Sequence, residues 1–208
     1  MSTKVQQLAT HLRSYYNKYL TVLIVLLVCL GLGYAIFIQP TITESDLAPT
    51  TAVVSNNVLA SSSPRSLRIP KISLTADFEA PLGVMSDGEV AVPTEYEKVG
   101  WYKYSPTPGE LGPAVILGHV DSFKGPAVFY NLRQLVAGDE IYVDREDGTT
   151  ATFIITKISQ HPQTGFPTEE VYGNIDHAGL RLITCAGTYD KGTARYSHNL
   201  IVYGELKE

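Results

Sequence analysis

The hydrophobic residues of this chain form one long unbroken run near the N-terminus and many short runs after it. The long run, LTVLIVLLVCLGLGYAIFI at residues 20–38, contains no charged residue. At about 1.5 Å per residue, a helix of this length spans the roughly 30 Å hydrocarbon core of a bilayer. The run therefore predicts a transmembrane helix, and a cleaved secretory signal is the less favoured alternative.

The charges on either side of this run predict its orientation. Lys4, Arg13 and Lys18 are the only charged side chains before residue 44, so all 21 acidic side chains lie farther along. Basic residues tend to stay on the cytoplasmic side of a membrane helix. We therefore expect a single-pass protein of the cell membrane, with residues 1–19 in the cytoplasm and everything after residue 38 outside it.

The pattern after the apolar run divides into a polar segment and a β-rich domain. Residues 39–66 are rich in Ser, Thr, Pro, Asn and Ala, which is typical of a flexible stalk. The short apolar runs of residues 67–208 are separated by Gly and Pro and predict a mainly β fold, a sandwich or a barrel. Asp147-Gly148 predicts a hairpin turn between two of the strands. Short helices are expected at Val128–Leu135 and Thr168–Tyr172.

Composition and charge narrow the class of protein. The 208 residues are 44% hydrophobic, carry a formal net charge of −5 and include two cysteines. These values exclude a disulfide-dense scaffold, a collagen-like or wholly disordered chain and a basic nucleic-acid binder. Because the folded part is acidic, its partners are expected to be peptides, small molecules or proteins, and no nucleic acid.

Cys185 is the candidate nucleophile. Cys29 lies inside the apolar run, so Cys185 is the one thiol of the outward part and has no partner there for a disulfide. Exported proteins tend to pair their cysteines or lose them, which makes a lone cysteine at the end of an apolar strand a candidate for chemistry. A buried cysteine that acts as a small hydrophobic residue is an equally good reading of this feature alone.

His119 ends a second apolar run, and Asp121 follows two residues later. An imidazole near a thiol can act as general acid and base for acyl transfer. The simpler alternative is a solvated histidine. A zinc site would need further His or Cys ligands nearby, and the sequence shows none, so no metal or cofactor is expected.

Acyl transfer also needs a group that stabilises negative charge on the tetrahedral intermediate. Arg195 is the only arginine after Cys185, and it precedes the last apolar strand. A hairpin return from the cysteine strand would bring Arg195 beside the thiol. The alternative is an ordinary surface arginine.

Three segments together carry a resemblance to a known family. They are GPAVILGHVDS at 112–122, GPAVFYNLRQLVAGDEIYV at 125–143 and RLITCAG at 181–187. They resemble the sortases, most closely those of class F, and the similarity extends over residues 67–206. The family motif Thr-Leu-x-Thr-Cys is matched by Arg181 to Cys185, with Arg in place of the first Thr. The resemblance implies a closed eight-stranded β-barrel that follows one transmembrane helix.

The resemblance also implies residue roles. The family histidine and nucleophile fall on His119 and Cys185, and the family arginine on Arg195, with Arg181 as the runner-up. Thr184 would help to line the substrate groove. Asp121 would orient His119 or bind the incoming amine.

The activity that the resemblance implies is a membrane-anchored cysteine transpeptidase. Such an enzyme cleaves an LPxTG-like sorting signal of a surface protein between Thr and Gly. It then transfers the acyl group, through a cysteine thioester, to an amine of a peptidoglycan precursor or a pilin. Two alternatives stay open: a peptide hydrolase on the same fold, and a catalytically silent, membrane-tethered binding domain.

Overall fold

The computed structural model describes residues 58–86 and 88–207. The predicted cytoplasmic segment, the predicted transmembrane helix and most of the predicted stalk lie outside these residues. Within them, no helix is long and apolar enough to cross a membrane.

One eight-stranded sheet dominates the fold, and a small two-stranded hairpin accompanies it. The strands are β1 Pro64–Ile69, β2 Leu74–Asp77, β3 Gly100–Trp101, β4 Gly112–Leu117, β5 Asp121–Ser122, β6 Gly125–Pro126, β7 Glu140–Arg145, β8 Thr150–Pro162, β9 Ala178–Asp190 and β10 Arg195–Leu206. The large sheet has the order β2-β1-β7-β8-β10-β9-β4-β3, and β5 pairs with β6. Only β4 and β9 run parallel, while all other neighbours in both sheets are antiparallel.

The edges of the large sheet approach each other. Just beyond β2, Phe78 forms an isolated parallel bridge with Val99, and Leu82 forms another with Tyr102 after β3. The Glu79 N–H donates to the Val99 carbonyl oxygen at 2.8 Å. In place of the expected closed barrel, the structure therefore has a curled eight-stranded sheet whose two edges meet only through isolated bridges.

Alternation along the strands gives the sheet two apolar faces, because successive side chains point to opposite sides. Leu180 and Leu182 of β9 belong to the larger core inside the curl, together with Phe129. Ile183 belongs to a second cluster on the other face, where Val171 packs. Val171 lies in α1 (Thr168–Tyr172), which therefore covers the outer face of β9 and β4.

The short predicted elements are found, with differences in detail. The second predicted helix is α1, and the first is a 3-10 helix over Tyr130–Gln134. Further 3-10 turns occur at Pro70–Ile72 and Gln163–Gly165. The predicted hairpin joins β7 to β8, and Gly148 has the positive φ of 84° that its turn requires.

The described part of the domain extends to residues before 67. The Leu59 N–H donates to the Gly109 carbonyl oxygen at 2.7 Å, and the Leu59 side chain packs against the main core. The buried Arg145 guanidinium donates to the Ala60 carbonyl oxygen. Residues 58–66, the end of the predicted stalk, thus pack on the domain, because Leu59 finds apolar neighbours there and Arg145 binds the backbone.

Candidate active site

The parallel pairing of β4 with β9 brings two chemically active residues to one end of the sheet. Leu117 pairs with Ile183, and the Gly118 N–H donates to the Ile183 carbonyl oxygen at 3.2 Å. Two residues farther along each segment come His119 and Cys185. Because parallel strands advance together, this register indicates that the backbones of His119 and Cys185 lie in neighbouring positions.

Cys185 lies within β9, opposite Asn199 of β10, and is partly buried. Burial raises the pKa of its thiol, and the negative charge of Asp121 raises this pKa further. The thiol is therefore protonated at neutral pH. A nucleophilic sulfur at this position needs a base that removes the proton when substrate binds.

The backbone of the β2–β3 loop (residues 78–99) fixes the imidazole of His119. Its Nε2 lies 2.7 Å from the Pro93 carbonyl oxygen, and its ring lies 4.7 Å from the Tyr96 ring between centroids. A carbonyl oxygen only accepts hydrogen bonds, so Nε2 carries the proton. In the neutral ring Nδ1 is then the basic nitrogen, and Nδ1 is the atom that can take a proton from a thiol.

Asp121 begins the β5–β6 hairpin and is bonded to Tyr196 of β10. The Tyr196 hydroxyl donates to the Asp121 carboxylate, and burial together with Asp121 raises the pKa of Tyr196 to about 12. In this structure, Pro93 and Tyr96 hold the His119 ring, and Asp121 holds Tyr196.

In the part of the chain that the structure describes, no group of three or more His, Cys, Asp or Glu side chains is placed to hold a metal ion.

Arg195 is the first residue of β10 and pairs with Asp190, whereas the residue opposite Cys185 is Asn199. Four residues of extended strand correspond to about 13 Å. The Arg195 side chain is 60% exposed, and its Nη1 lies 3.3 Å from Glu89 Oε1. The contact shown for this guanidinium is therefore with the β2–β3 loop, and its role in catalysis stays a prediction.

Arg181, the second candidate arginine, packs inside the domain. Arg181 is buried, its Nη1 donates to the Leu180 carbonyl oxygen at 3.0 Å, and its guanidinium carbon lies 4.8 Å from the centroid of the Tyr203 ring. Burial lowers the pKa of this guanidinium. These contacts give Arg181 a structural role on the face that α1 covers.

Thr184 precedes the cysteine and is only 4% exposed. Its Oγ1 has no hydrogen-bond partner among the described residues. By alternation its side chain shares a face with Leu182 of the main core. Its predicted part in lining a substrate groove stays a prediction.

Sequence reasoning missed the groups that hold the site together. Pro93 acts through a main-chain oxygen, which no residue pattern reports. Tyr96 and Tyr196 come from separate segments and reach His119 and Asp121 only through the fold. The one indication in the sequence was that Tyr196 directly follows Arg195, a candidate catalytic residue.

A curled β sheet that carries a cysteine on one strand and a histidine just beyond the neighbouring parallel strand has the residues that nucleophilic catalysis by a thiol needs. A family model described as "Sortase domain" matches residues 67–207. The chain belongs to the sortase family. The comparison with curated proteins found no match.

Solved structures show the same fold. Sortase C1 from Streptococcus suis matches with a TM-score of 0.55 and 21% identity, over 71% of this chain and 74% of that one. Sortase C-1 from Actinomyces oris matches with a TM-score of 0.52 and 22% identity, over 69% and 73%. A lid mutant of sortase A from Corynebacterium diphtheriae matches with a TM-score of 0.53 and 22% identity, over 72% and 73%.

Proposed function

We propose that this protein is a membrane-anchored sortase that cleaves an LPxTG-like sorting signal between Thr and Gly and transfers the acyl fragment to an amine. The observation that supports the proposal is the parallel register of β4 and β9, in which Leu117 pairs with Ile183, two residues before His119 and Cys185 respectively. The family match over residues 67–207 supports the reaction class.

The first half of the reaction forms a thioester. Nδ1 of His119 takes the proton of the Cys185 thiol as Sγ attacks the threonine carbonyl carbon of the signal. The tetrahedral intermediate then collapses, the bond to the glycine nitrogen breaks, and His119 gives its proton to the leaving amine. The base is needed because the pKa of the thiol is raised.

The second half returns the enzyme to its starting state. An amine attacks the thioester carbonyl carbon, the carbon–sulfur bond breaks, and Cys185 recovers its proton through His119. Arg195 is our candidate for stabilising the oxyanion in both halves. To do this, the Arg195 guanidinium must leave Glu89 and bind the substrate. An exposed ion pair of this kind contributes only about 0–1 kcal/mol, so breaking it costs little.

The sequence supports the setting of this reaction. We propose that residues 20–38 anchor the enzyme in the cell membrane with the domain outside, and that the amine comes from a peptidoglycan precursor or a pilin. A substrate tethered to the same membrane reaches the enzyme at a high effective concentration, so weak intrinsic binding suffices. The class F assignment rests on the motif that runs from Arg181 to Cys185.

Two observations favour a second candidate function. The thiol pKa is raised and Arg195 is bonded to Glu89, which are features expected of a catalytically silent binding domain. A hydrolase on the same fold is a third possibility, in which water takes the acyl group.

The test uses the full-length protein in detergent with an LPxTG peptide, with and without an amine. Intact-protein mass spectrometry should show an acyl adduct that is absent from Cys185→Ala and present in the matched control Cys29→Ala. A ligated peptide product identifies a transpeptidase, and a cleaved but never ligated peptide identifies a hydrolase. Absence of any adduct would leave the silent binding domain.

A further inference from the structure

Segment 93–96, which holds the imidazole of His119, is itself held by a carboxylate. Glu79 lies two residues after β2, and both of its oxygens accept hydrogen bonds from this segment. Its Oε2 accepts the Thr94 N–H at 2.8 Å and the Glu95 N–H at 3.2 Å. Its Oε1 accepts the Thr94 hydroxyl at 2.7 Å. One side chain thus binds three donors from two adjacent residues.

The backbone that carries Glu79 is fixed. Its N–H donates to the Val99 carbonyl oxygen at 2.8 Å, and the preceding Phe78 forms one of the bridges that join the two edges of the sheet. The Phe78 N–H also donates to the Arg65 carbonyl oxygen of β1 at 3.0 Å. Because these bonds tie it to the sheet, the carboxylate is a stable anchor for segment 93–96.

Glu79 is ionised when it makes these bonds. The hydrogen bond from the Thr94 side chain lowers the pKa of Glu79, and the two backbone hydrogen bonds and the charge of Lys98 lower it further, against the effect of desolvation. An ionised carboxylate only accepts hydrogen bonds, which suits a site with three donors. Hydrogen bonds to a charged acceptor are also stronger than those between neutral groups.

One peptide group joins this carboxylate to the imidazole. The carbonyl of Pro93 and the N–H of Thr94 belong to the same planar peptide unit. Its N–H donates to Glu79 Oε2, and its oxygen lies 2.7 Å from Nε2 of His119. Hydrogen bonds in such a chain polarise one another, so the negative charge of Glu79 makes the Pro93 oxygen a better acceptor.

The second contact of the imidazole depends on the same segment. Tyr96, whose ring lies 4.7 Å from the imidazole between centroids, directly follows Glu95, the residue of the third donor to Glu79. The end of the segment is fixed as well, because the Val128 N–H donates to the Tyr96 carbonyl oxygen at 3.0 Å. Glu79 therefore holds the part of the segment that lies between the two contacts to the ring.

We propose that Glu79 is a positioning residue for His119, because its carboxylate fixes the peptide group that holds Nε2 and so keeps Nδ1 available as the base. The inference rests on the proposed transpeptidase function. In the Ser-His-Asp triad, a carboxylate bonds to the histidine directly. Here the carboxylate acts on the ring through one peptide group.

The first experiment compares two replacements of Glu79 in transfer assays with full-length protein in detergent and an LPxTG peptide. Glu79→Gln keeps an oxygen for the two backbone N–H groups, and its amide NH2 group can donate to the Thr94 hydroxyl, whereas Glu79→Ala removes all three bonds. Glu79→Ala should lower kcat about tenfold and leave KM within about twofold, because the imidazole is misplaced while substrate binding is kept. Glu79→Gln should restore kcat to within about threefold of the wild type.

The matched control is Glu97→Ala, which removes an exposed carboxylate from the same loop and should change neither kcat nor KM. Thr94→Val removes one of the three donors and leaves the carboxylate in place, so it should lower kcat less than Glu79→Ala and serves if that variant does not fold. Wild-type kcat in both Glu79→Ala and Thr94→Val would overturn the inference, and so would equal losses in Glu79→Ala and Glu79→Gln.

The second experiment observes the tautomer of the imidazole, so its result does not depend on the proposed function. Full-length protein with nitrogen-15 in its histidines is studied by NMR at about pH 8.5, where imidazole rings are neutral. The signals of His119, one of five histidines, are identified by their loss in His119→Ala. The wild type and Glu79→Gln should carry the proton on Nε2, and Glu79→Ala should show a mixture of both tautomers.

The outcomes of the two experiments can be told apart. A single Nε2–H tautomer in Glu79→Ala, as in the wild type, would reject the positioning role even if the protein proves to be an active transpeptidase. Absence of an acyl adduct in the wild type would reject only the proposed function, since the tautomer of His119 would still report the action of Glu79.

Discussion

Nε2 of His119 lies 2.7 Å from the carbonyl oxygen of Pro93, so a main-chain atom fixes the tautomer of the imidazole. The acceptor requires a proton on Nε2 and leaves Nδ1 as the base. In the Ser-His-Asp triad a carboxylate orients the histidine, whereas here Asp121, two residues after His119, accepts a hydrogen bond from Tyr196.

Replacement of His119 by Ala should lower the rate of peptide transfer by about 10²–10⁴-fold, because general acid–base catalysis contributes that range. The measurement is the steady-state rate of ligated product, with the adduct of Cys185 followed in parallel. His177→Ala is the control, since His177 lies near Asp176 and Glu205 at an exposed position. Retention of wild-type turnover by His119→Ala would remove the imidazole from the mechanism.

Asp121→Asn should make Cys185 more reactive in the absence of substrate. The carboxylate raises the pKa of the thiol, so its removal lowers this pKa and increases the thiolate fraction at neutral pH. The measurement is the rate of iodoacetamide alkylation between pH 6 and about pH 10, in a Cys29→Ala background that leaves one thiol. The midpoint should move to lower pH in Asp121→Asn and stay unchanged in Asp139→Asn. An unchanged or higher midpoint in Asp121→Asn contradicts the electrostatic account.

The two strands that lead to the candidate residues His119 and Cys185 could be predicted from sequence, because each residue ends an apolar run and the runs form β4 and β9. The position of Arg195 relative to Cys185 could not be predicted from the sequence. The apolar pattern stops at Cys185, but β9 continues through exposed polar residues to Asp190. The hairpin arms are therefore longer than the pattern indicates, and the return strand brings Asn199, not Arg195, opposite the cysteine.

Replacing the two arginines should have different effects: loss of Arg195 should lower activity, and loss of Arg181 should lower stability. Arg195 is exposed and bonded only at its tip, so Arg195→Ala should leave the melting temperature unchanged and lower kcat/KM for peptide transfer by tenfold or more, about 1.4 kcal/mol. Arg181 packs over Tyr203, so Arg181→Ala should lower the free energy of unfolding by about 1–3 kcal/mol. Thermal unfolding and transfer assays on both variants check this. Full activity in Arg195→Ala would assign oxyanion stabilisation to another donor.

Gly118 precedes His119 and has no room for a side chain. A Cβ there would lie 2.6 Å from Phe129 Cδ2 and 2.9 Å from Val128 Cγ1. Phe129 is fully buried, and its N–H donates to the His119 carbonyl oxygen at 2.9 Å, so it cannot move without moving the segment that carries His119. Gly118→Ala should therefore cost about 1–3 kcal/mol of stability, as overpacking does, and should also lower kcat.

A double variant tests whether Gly118→Ala destabilises the protein through a local clash with Phe129 or through a general loss of the fold. Phe129→Leu removes the ring atoms that the new methyl group meets, so Gly118→Ala with Phe129→Leu should unfold at a higher denaturant concentration than the two single losses added together predict. Activity should recover with stability, since the segment that carries His119 returns to its wild-type position. Strictly additive losses would mean that Phe129 does not transmit the clash, and the close packing of Gly118 would then not be what positions His119.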